Sequence, residues 1–382
     1  MRYCTKCVQP DTRPGIVFGE DGVCGACMYE EEKKSINWDA RWRELQGIAE
    51  WAKETSRTGY DCVVGVSGGK DSTFQALTAR DRLGLRVLLV NSEPEGITEI
   101  GQKNIENLKQ MGFDCVSIRP NTRVMRQLVK KCFYEYGNPA KITEYSLTAS
   151  AYIASQALKI PLVIQGENDA LTLGVKNIGL PADGNALNYN KVETQMTPLQ
   201  EFIGGKITER DLFMFKYDGE KMAKDGHKAV WLQYYTKEWS QSHNAEFSIR
   251  HGLTIRPKEF DTADIGTYCP YYQLDSDIWP MNMMLKYVKF GFGQATDHAC
   301  YDIRAGILTR EEAINLVKEY DGKCHSRYVK GFCDYIGITL DEFWRVAESF
   351  RGPMWEKDDH GKWHMPDAIW NKEQGLGGFD SF

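Results

Sequence analysis

The sequence predicts an α/β protein built on a doubly wound parallel sheet, with a cysteine module before it and a mainly helical C-terminal region after it. Three observations predict this. Short apolar runs alternate with helical patterns from Asp61 to about residue 165, which is the signature of βαβ units. Two Cys-x-x-Cys pairs, Cys4/Cys7 and Cys24/Cys27, stand at the start. Beyond about residue 206 the strand signal stops and capped helices take over. These shifts divide the chain into 1–55, 56–205 and 206–382.

With 382 residues the chain has room for two or three domains and a sizeable core. The net charge of −6 argues against a protein whose main task is gripping nucleic acid. No apolar segment follows the first residue, and no run approaches the roughly 18–20 apolar residues of a membrane span. A cytoplasmic protein with no membrane insertion is expected. Eleven cysteines then point to metal and core thiols rather than disulfides. The oligomeric state, homo-oligomer included, is left open.

The two cysteine pairs are sixteen residues apart, within the spacing of a four-thiolate zinc site. Each pair makes a knuckle that aims two sulfurs at one point. Pro10, Pro14-Gly15, Asp21-Gly22 and the run Ile16-Val17-Phe18 predict a small hairpin between them. About 30 residues cannot bury much core, so metal would supply the folding energy. Structural Zn²⁺ on Cys4, Cys7, Cys24 and Cys27 is expected; an iron–sulfur cluster and free redox thiols are the alternatives. A closed four-cysteine site has no open coordination position for catalysis. From Tyr29 to Thr55, Trp38, Trp42, Leu45, Ile48, Ala49 and Ala52 recur at helical spacing, predicting an amphipathic connector.

Strands are expected at Asp61–Val66, Arg86–Val90, Phe113–Ile118 and Leu162–Ile164. Helices are expected between them at about Ser72–Leu83, Glu99–Met111, Asn121–Tyr136 and Thr143–Leu158. The first strand runs into Val66-Ser67-Gly68-Gly69-Lys70-Asp71-Ser72. A strand, a glycine turn and a helix point backbone N–H groups at an anion. The adjacent glycines let the chain approach a phosphate, Lys70 adds a charge, and Asp71 can hold Mg²⁺. This is not a Walker A loop, because Val64 stands where that pattern needs its first glycine and Asp71 follows Lys70. Ligands of such sheets sit beyond the C-terminal strand ends. Asn91-Ser92 and Gly166-Glu167-Asn168-Asp169 end the second and fourth strands, so they join the loop at that edge.

The C-terminal third is less explicit. Trp231, Tyr234, Tyr235 and Trp239 are read as a substrate wall or as packing. A helix is expected over Tyr271–Phe290. Gly291-Phe292-Gly293 should then make a turn presenting Gln294, Thr296, Asp297 and His298; alternatively, Thr296 or Asp297 caps the next helix. Capping boxes open helices at Thr309/Glu312 and Thr339/Glu342. Cys324, His325 and Cys333 match no usual metal spacing. Gly352–Phe382 reads as an extended tail.

The string Ser-Gly-Gly-Lys-Asp-Ser at 67–72 resembles the PP-loop of the N-type ATP pyrophosphatases, which cleave ATP between the α and β phosphates. The resemblance implies that Val66, Ser67, Gly68, Gly69, Lys70, Asp71 and Ser72 cradle ATP and pyrophosphate. Asn91 and Ser92 would meet the adenine and ribose. Gly166, Glu167, Asn168 and Asp169 would lie near the phosphates, with Glu167 where related enzymes often carry His. Three features together resemble the N-acetyl sugar amidotransferase family of bacterial surface-polysaccharide biosynthesis. They are the knuckles with Cys7-Val-Gln-Pro-Asp-Thr-Arg-Pro-Gly-Ile16, the loop, and Lys289–Ala299 ahead of Thr309-Arg-Glu-Glu-Ala313. That resemblance implies an ATP-dependent enzyme converting an acetamido group of a nucleotide-linked sugar to an acetamidino group, with release of AMP and pyrophosphate. Ammonia would come from a separate glutaminase subunit resembling that of the histidine pathway. Lys70 and Asp71 would act on ATP, and Asp297 or His298 is the candidate proton acceptor by residue type. The rivals are a PP-loop tRNA-modifying enzyme, thiolase or lysidine-type, and a non-catalytic nucleotide- and zinc-binding subunit.

Overall fold

The structure, a computed structural model, describes residues 1–175, 182–187 and 197–372. The N-terminal knuckles fold without regular strands. Isolated antiparallel bridges join Tyr3 to Pro10 and Phe18 to Cys24, so the expected hairpin is reduced to a tight loop between the cysteine pairs. Helix α1 (Gly25–Glu32) starts on the second pair, and α2 (Trp38–Thr55) follows. Asn37 caps α2 by accepting from the Ala40 N–H. Leu45, Ala49 and Ala52 form its buried face and join the core against the sheet.

Five parallel strands form that sheet: β1 (Cys62–Val66), β2 (Val87–Ser92), β3 (Asp114–Ile118), β4 (Leu162–Gln165) and β5 (Lys228–Trp231), in the order β3-β2-β1-β4-β5. The first four stand where the sequence places them, to within a residue or two. The fifth is a correction. Residues beyond 206 return to the sheet and pair Leu162–Gln165 with Lys228–Trp231, so the pattern change near 206 is not the edge of the sheet. Cys62, Val63 and Val64 are buried and contribute to cores on both faces of β1, as a central parallel strand requires.

Helices α3 (Lys70–Leu77), α4 (Glu99–Gln110), α5 (Thr122–Tyr136), α6 (Lys141–Leu158) and the short α7 (Asp169–Thr172) connect and follow the first four strands. The chain leaves β1 toward β2 on one side and returns through α6 to β4 on the other. The strand order therefore reverses between β1 and β4, and their C-terminal ends open the crevice where such sheets bind ligands. The middle segment supplies α8 (Gly219–Lys224), α9 (Leu232–Tyr235) and α10 (Gln241–Arg250).

The C-terminal helices are α11 (Ile278–Phe290), α12 (Gln294–Arg304), α13 (Arg310–Tyr320), α14 (Ser326–Ile336) and α15 (Leu340–Ser349). Helix α11 starts at Ile278 rather than Tyr271. Pro280 falls in its first turn, where a missing N–H costs nothing, and Ser276 bridges to Ile97 as extended chain instead. These helices share a core with α5: Phe133 stacks on Phe343 at 5.2 Å and 9°. Two antiparallel strands, β6 (Glu356–Lys357) and β7 (Trp363–His364), and α16 (Ile369–Lys372) replace the expected extended tail. The Ile369 N–H donates to the Tyr3 hydroxyl at 3.1 Å, tying the end of the described chain to its beginning. The rest of that tail, 373–382, lies outside the described residues. Among those described, no helix is long and apolar enough to cross a membrane.

Candidate active site

The loop after β1 has the shape its sequence implies. Gly68 sits at φ 79°, and a Cβ there would stand 2.9 Å from the Gly101 carbonyl oxygen, so only glycine fits. Gly69 is the N-cap of α3, which leaves the first N–H groups of that helix directed at the loop. The Ser72 and Thr73 hydroxyls donate back to the Gly69 carbonyl at 3.1 and 2.9 Å. Lys70 is buried, and its Nζ contacts Asp71 Oδ2 at 2.6 Å. Helix α10 clamps the pair from outside: Asn244 donates to Asp71 Oδ1 at 2.8 Å, and Ser248 donates to the Lys70 carbonyl at 2.7 Å.

The two other predicted segments lie at the same edge. Asn91 and Ser92 end β2 and are buried; register sets Asn91 between Val66 and Ser117. Gly166 ends β4 against Gln75 and Trp239, where a Cβ would stand 2.4 and 3.1 Å from their side chains. Asn168 caps α7 by accepting from the Ala170 N–H at 2.9 Å. Its own N–H donates to Gln233 at 2.7 Å, so this buried amide holds the turn together. Glu167 and Asp169 face a cavity of about 470 Å³. Burial pushes the Glu167 carboxyl up to about 8, with the charges of Asp169 and Asp71 adding to it. Burial likewise raises Asp169 to about 6.

That cavity lies between the sheet edge and the C-terminal helices. Arg13, Lys141, Lys286 and Lys289 give it cations, and Tyr136, Phe290 and Phe292 give it aromatic walls. Sequence reasoning left these residues unassigned as ligand contacts. They come from three separate parts of the chain, and only the fold brings them together. The Lys286/Lys289 spacing, one turn apart on a helix, was the available signal.

The structure places Asp297 and His298 in the first turns of α12, buried, not on an exposed turn. Neither caps the helix. Asp321, from the end of α13, accepts from the Gly293 and Thr296 N–H groups at 2.9 and 3.1 Å and from the Thr296 hydroxyl at 2.5 Å. Asp297 is held by Arg13 and Lys286. Burial works against its charge, but those two cations outweigh it and hold the carboxyl below its usual value. Burial drives the His298 imidazole well below its usual value, and Lys70 and Lys286 push the same way. A neutral ring satisfies both its partners, Thr267 at 2.5 Å and the Gln294 amide at 2.7 Å. Its ring centre lies 3.6 Å from that of Tyr272, and Lys70 Nζ lies 4.2 Å from the Tyr272 centroid. The Tyr272 hydroxyl donates to Gln241 at 2.6 Å, and Gln241 donates to Glu167 at 3.0 Å. Loop, β4 turn and C-terminal region thus form one connected site.

The four N-terminal cysteines are buried, and their sulfurs all lie within 4.8 Å of one another, with Cys7 and Cys24 at 3.7 Å. A tetrahedral zinc with bonds near 2.3 Å sets its thiolates about 3.8 Å apart. Thiolates of a four-iron cluster bind different irons and stand further apart, so the donor set fits a single tetrahedral ion. The Cys4 sulfur also accepts from the Lys6, Cys7 and Cys24 N–H groups. No second group of this kind occurs among the described residues. Cys300 joins the knuckle core, and Arg310 donates to the Cys4 and Cys7 carbonyls at 3.4 and 3.3 Å.

Residues 264–369 match the family described as LPS biosynthesis protein WbpG-like, C-terminal domain. That stretch contains Tyr272, Lys286, Asp297, His298 and the Thr309 capping box. Comparison with the curated proteins finds no match. Among solved structures, the chain is similar to an NH3-dependent NAD synthetase from Campylobacter jejuni at 16% identity and TM-score 0.29, covering 50% of this chain and 97% of that one. A U34-tRNA thiolase from Methanococcus maripaludis, solved with its 4Fe-4S cluster, is 13% identical at TM-score 0.29, with 94% and 93% covered. Likeness at those scores carries no argument about activity.

Proposed function

We propose that this chain is an ATP-dependent amidotransferase that converts the acetamido group of a nucleotide-linked sugar into an acetamidino group. The observation that carries the reading is the junction of Lys70 with Tyr272 and His298. It joins a pyrophosphate-type loop to the WbpG-like segment in one site. The cationic and aromatic walls of the 470 Å³ cavity suit an anionic sugar nucleotide.

The chemistry has two steps. The acetamido oxygen attacks the α-phosphorus of ATP; the bond to the β-phosphate oxygen breaks, and pyrophosphate leaves with that electron pair. The N–H groups at Gly69–Asp71 and the Lys70 ammonium stabilise the charge building there. Mg²⁺ bound with ATP would neutralise phosphate charge, and Asp71 would be the carboxylate of the loop to hold it. Ammonia then bonds to the imidate carbon. The adduct gives up a proton, the nitrogen pair closes the amidine C=N bond, and the C–O bond breaks as AMP departs. For the proton, Glu167 is better placed than the residues that composition suggested. Both Glu167 and Asp297 face the cavity, but Asp297 is tied to two cations and His298 is bonded at both nitrogens, whereas Glu167, with its value of about 8, is free to take a proton once ionised at mildly alkaline pH. Ammonia supplied by a separate glutaminase is part of the same reading.

The test is ATP turnover in ammonium buffer with UDP-linked acetamido sugars, measuring AMP, pyrophosphate and product mass together. Acceptor-dependent AMP and pyrophosphate, with a product about 1 Da lighter, is expected, and Lys70→Ala should abolish both. ADP and phosphate, or turnover with tRNA alone, would overturn the reading.

A further inference from the structure

The large cavity has a smaller neighbour behind it. On the side of the cysteine module, a pocket of about 70 Å³ is lined by Tyr29 and Lys33 of the N-terminal segment and by Gln241, Tyr301 and Ala305. That space holds a few water-sized molecules and no organic substrate. It meets the surface, since Ala305 is exposed and Lys33 and Glu30 are half-buried there. Between the two spaces the packing leaves only a crevice with no room for a water-sized molecule, bordered by Arg13 and Asp297 from the cavity and by Thr172 and Arg304 from the pocket. Tyr301 lines all three.

The partition is one side chain thick at Tyr301 and two at Gln241 and Glu167. The Tyr301 ring borders both the pocket and the cavity. Gln241 borders the pocket, and its amide reaches Glu167, which borders the cavity, at 3.0 Å. A sugar nucleotide in the cavity would fill the front of the site. The second half of the proposed reaction then needs a small nucleophile to reach the activated carbon from elsewhere, while bulk water stays out. The pocket has the size for that molecule, and Gln233, Ser240 and Gln241 give it polar walls.

We propose that this pocket is the ammonia entrance of the enzyme, opening beside the cysteine module and delivering to the cavity when the Tyr301 and Gln241 side chains swing aside. The inference rests on the amidotransferase reading. It assigns the nucleophile a path separate from that of ATP and acceptor.

The experiment fills the mouth from two walls. Ala305→Trp and, separately, Lys33→Trp are assayed in the full chain with ammonium chloride as the nucleophile source, and each melting temperature is checked against the unmodified protein. Blockage predicts a KM for ammonium raised about tenfold or more, with KM for ATP and acceptor unchanged; Ala305→Ser should behave as the unmodified protein. Unchanged ammonium kinetics in both folded tryptophan variants would overturn the entrance alone. So would equal loss for ammonium and acceptor, which marks distortion of the cavity instead. Absence of ammonium-dependent AMP formation in the unmodified protein would overturn the amidotransferase reading, and the entrance with it.

Discussion

The Lys70 ammonium stands 4.2 Å from the centre of the Tyr272 ring, although two hundred residues of chain separate them. Lys70 opens the helix that follows the loop, and Tyr272 belongs to the irregular turn segment ahead of α11. A cation over an aromatic face is attracted by the negative face of the ring, so the contact fixes where the Lys70 side chain points. The same ring packs on His298. The loop is therefore seated by the C-terminal region.

Two substitutions separate the parts of that contact. Tyr272→Phe keeps the ring and removes the hydroxyl that donates to Gln241 at 2.6 Å. A lost buried hydrogen bond of about 1–1.5 kcal/mol corresponds to roughly a tenfold fall in kcat/KM for ATP. Tyr272→Leu removes the ring as well and should cost a further tenfold or so. Pyrophosphate release measures both; equal activity in the two variants would show that the ring does not position Lys70.

Glu167 makes the unliganded fold pH-dependent. Its folded-state value of about 8 lies above the ordinary 4.5, because burial favours the neutral acid. Its stabilising contribution is full below about pH 4.5 and is lost as pH rises to about 8. Glu167→Gln should therefore resist denaturant better than the unmodified protein at pH 9, by on the order of a few kcal/mol, and match it near pH 4.5. Urea midpoints at the two pH values check this, and a difference independent of pH would contradict it. The variant should also lose ammonium-dependent turnover.

The cysteine site supports the cavity wall. Arg13 follows the first knuckle closely, pairs with Asp297 and lies 4.7 Å over Phe292. The unliganded module has too few apolar residues to hold that position alone. Elemental analysis should find one zinc per chain. Cys24→Ser, or stripping by a chelator, should lower the melting temperature by roughly 5–10 °C, as expected for a loss of several kcal/mol, and should abolish turnover with it. Full turnover without metal would remove the module from the site.

What could be read from the chain beforehand depended on whether the signal was local. The glycine loop is local, since strand, turn and helix follow one another within about a dozen residues. So are the cysteine knuckles and the capping box at Thr309. β5 was not legible, because Lys228-Ala-Val-Trp231 is too short to show a period and becomes a strand only by pairing with β4. The start of α11 had a signal that was passed over, Pro280 in the first turn. Asn244 could not have been assigned to Asp71, because they stand 173 positions apart. By residue type Asp297 is a fair proton acceptor, yet Lys286 occupies it from the preceding helix and Arg13 from 284 positions away, and only the fold brings Arg13 there.

Asp321 gives the last prediction. It is buried, and it caps α12 from another helix, taking the Gly293 and Thr296 N–H groups and the Thr296 hydroxyl. Helix α12 has no cap of its own, and it carries Asp297, His298, Tyr301 and Arg304. Asp321→Ala would leave three buried donors unmatched, at a cost on the order of 2–4 kcal/mol. Asp321→Asn keeps one carbonyl oxygen and should recover part of that loss. Because the cap sets where α12 begins, turnover should fall further than stability alone explains, even at temperatures where the alanine variant is fully folded. Thermal melts and turnover at about 15 °C below the lowest midpoint separate the two effects. A folded alanine variant with unimpaired turnover would mean that α12 keeps its place without Asp321.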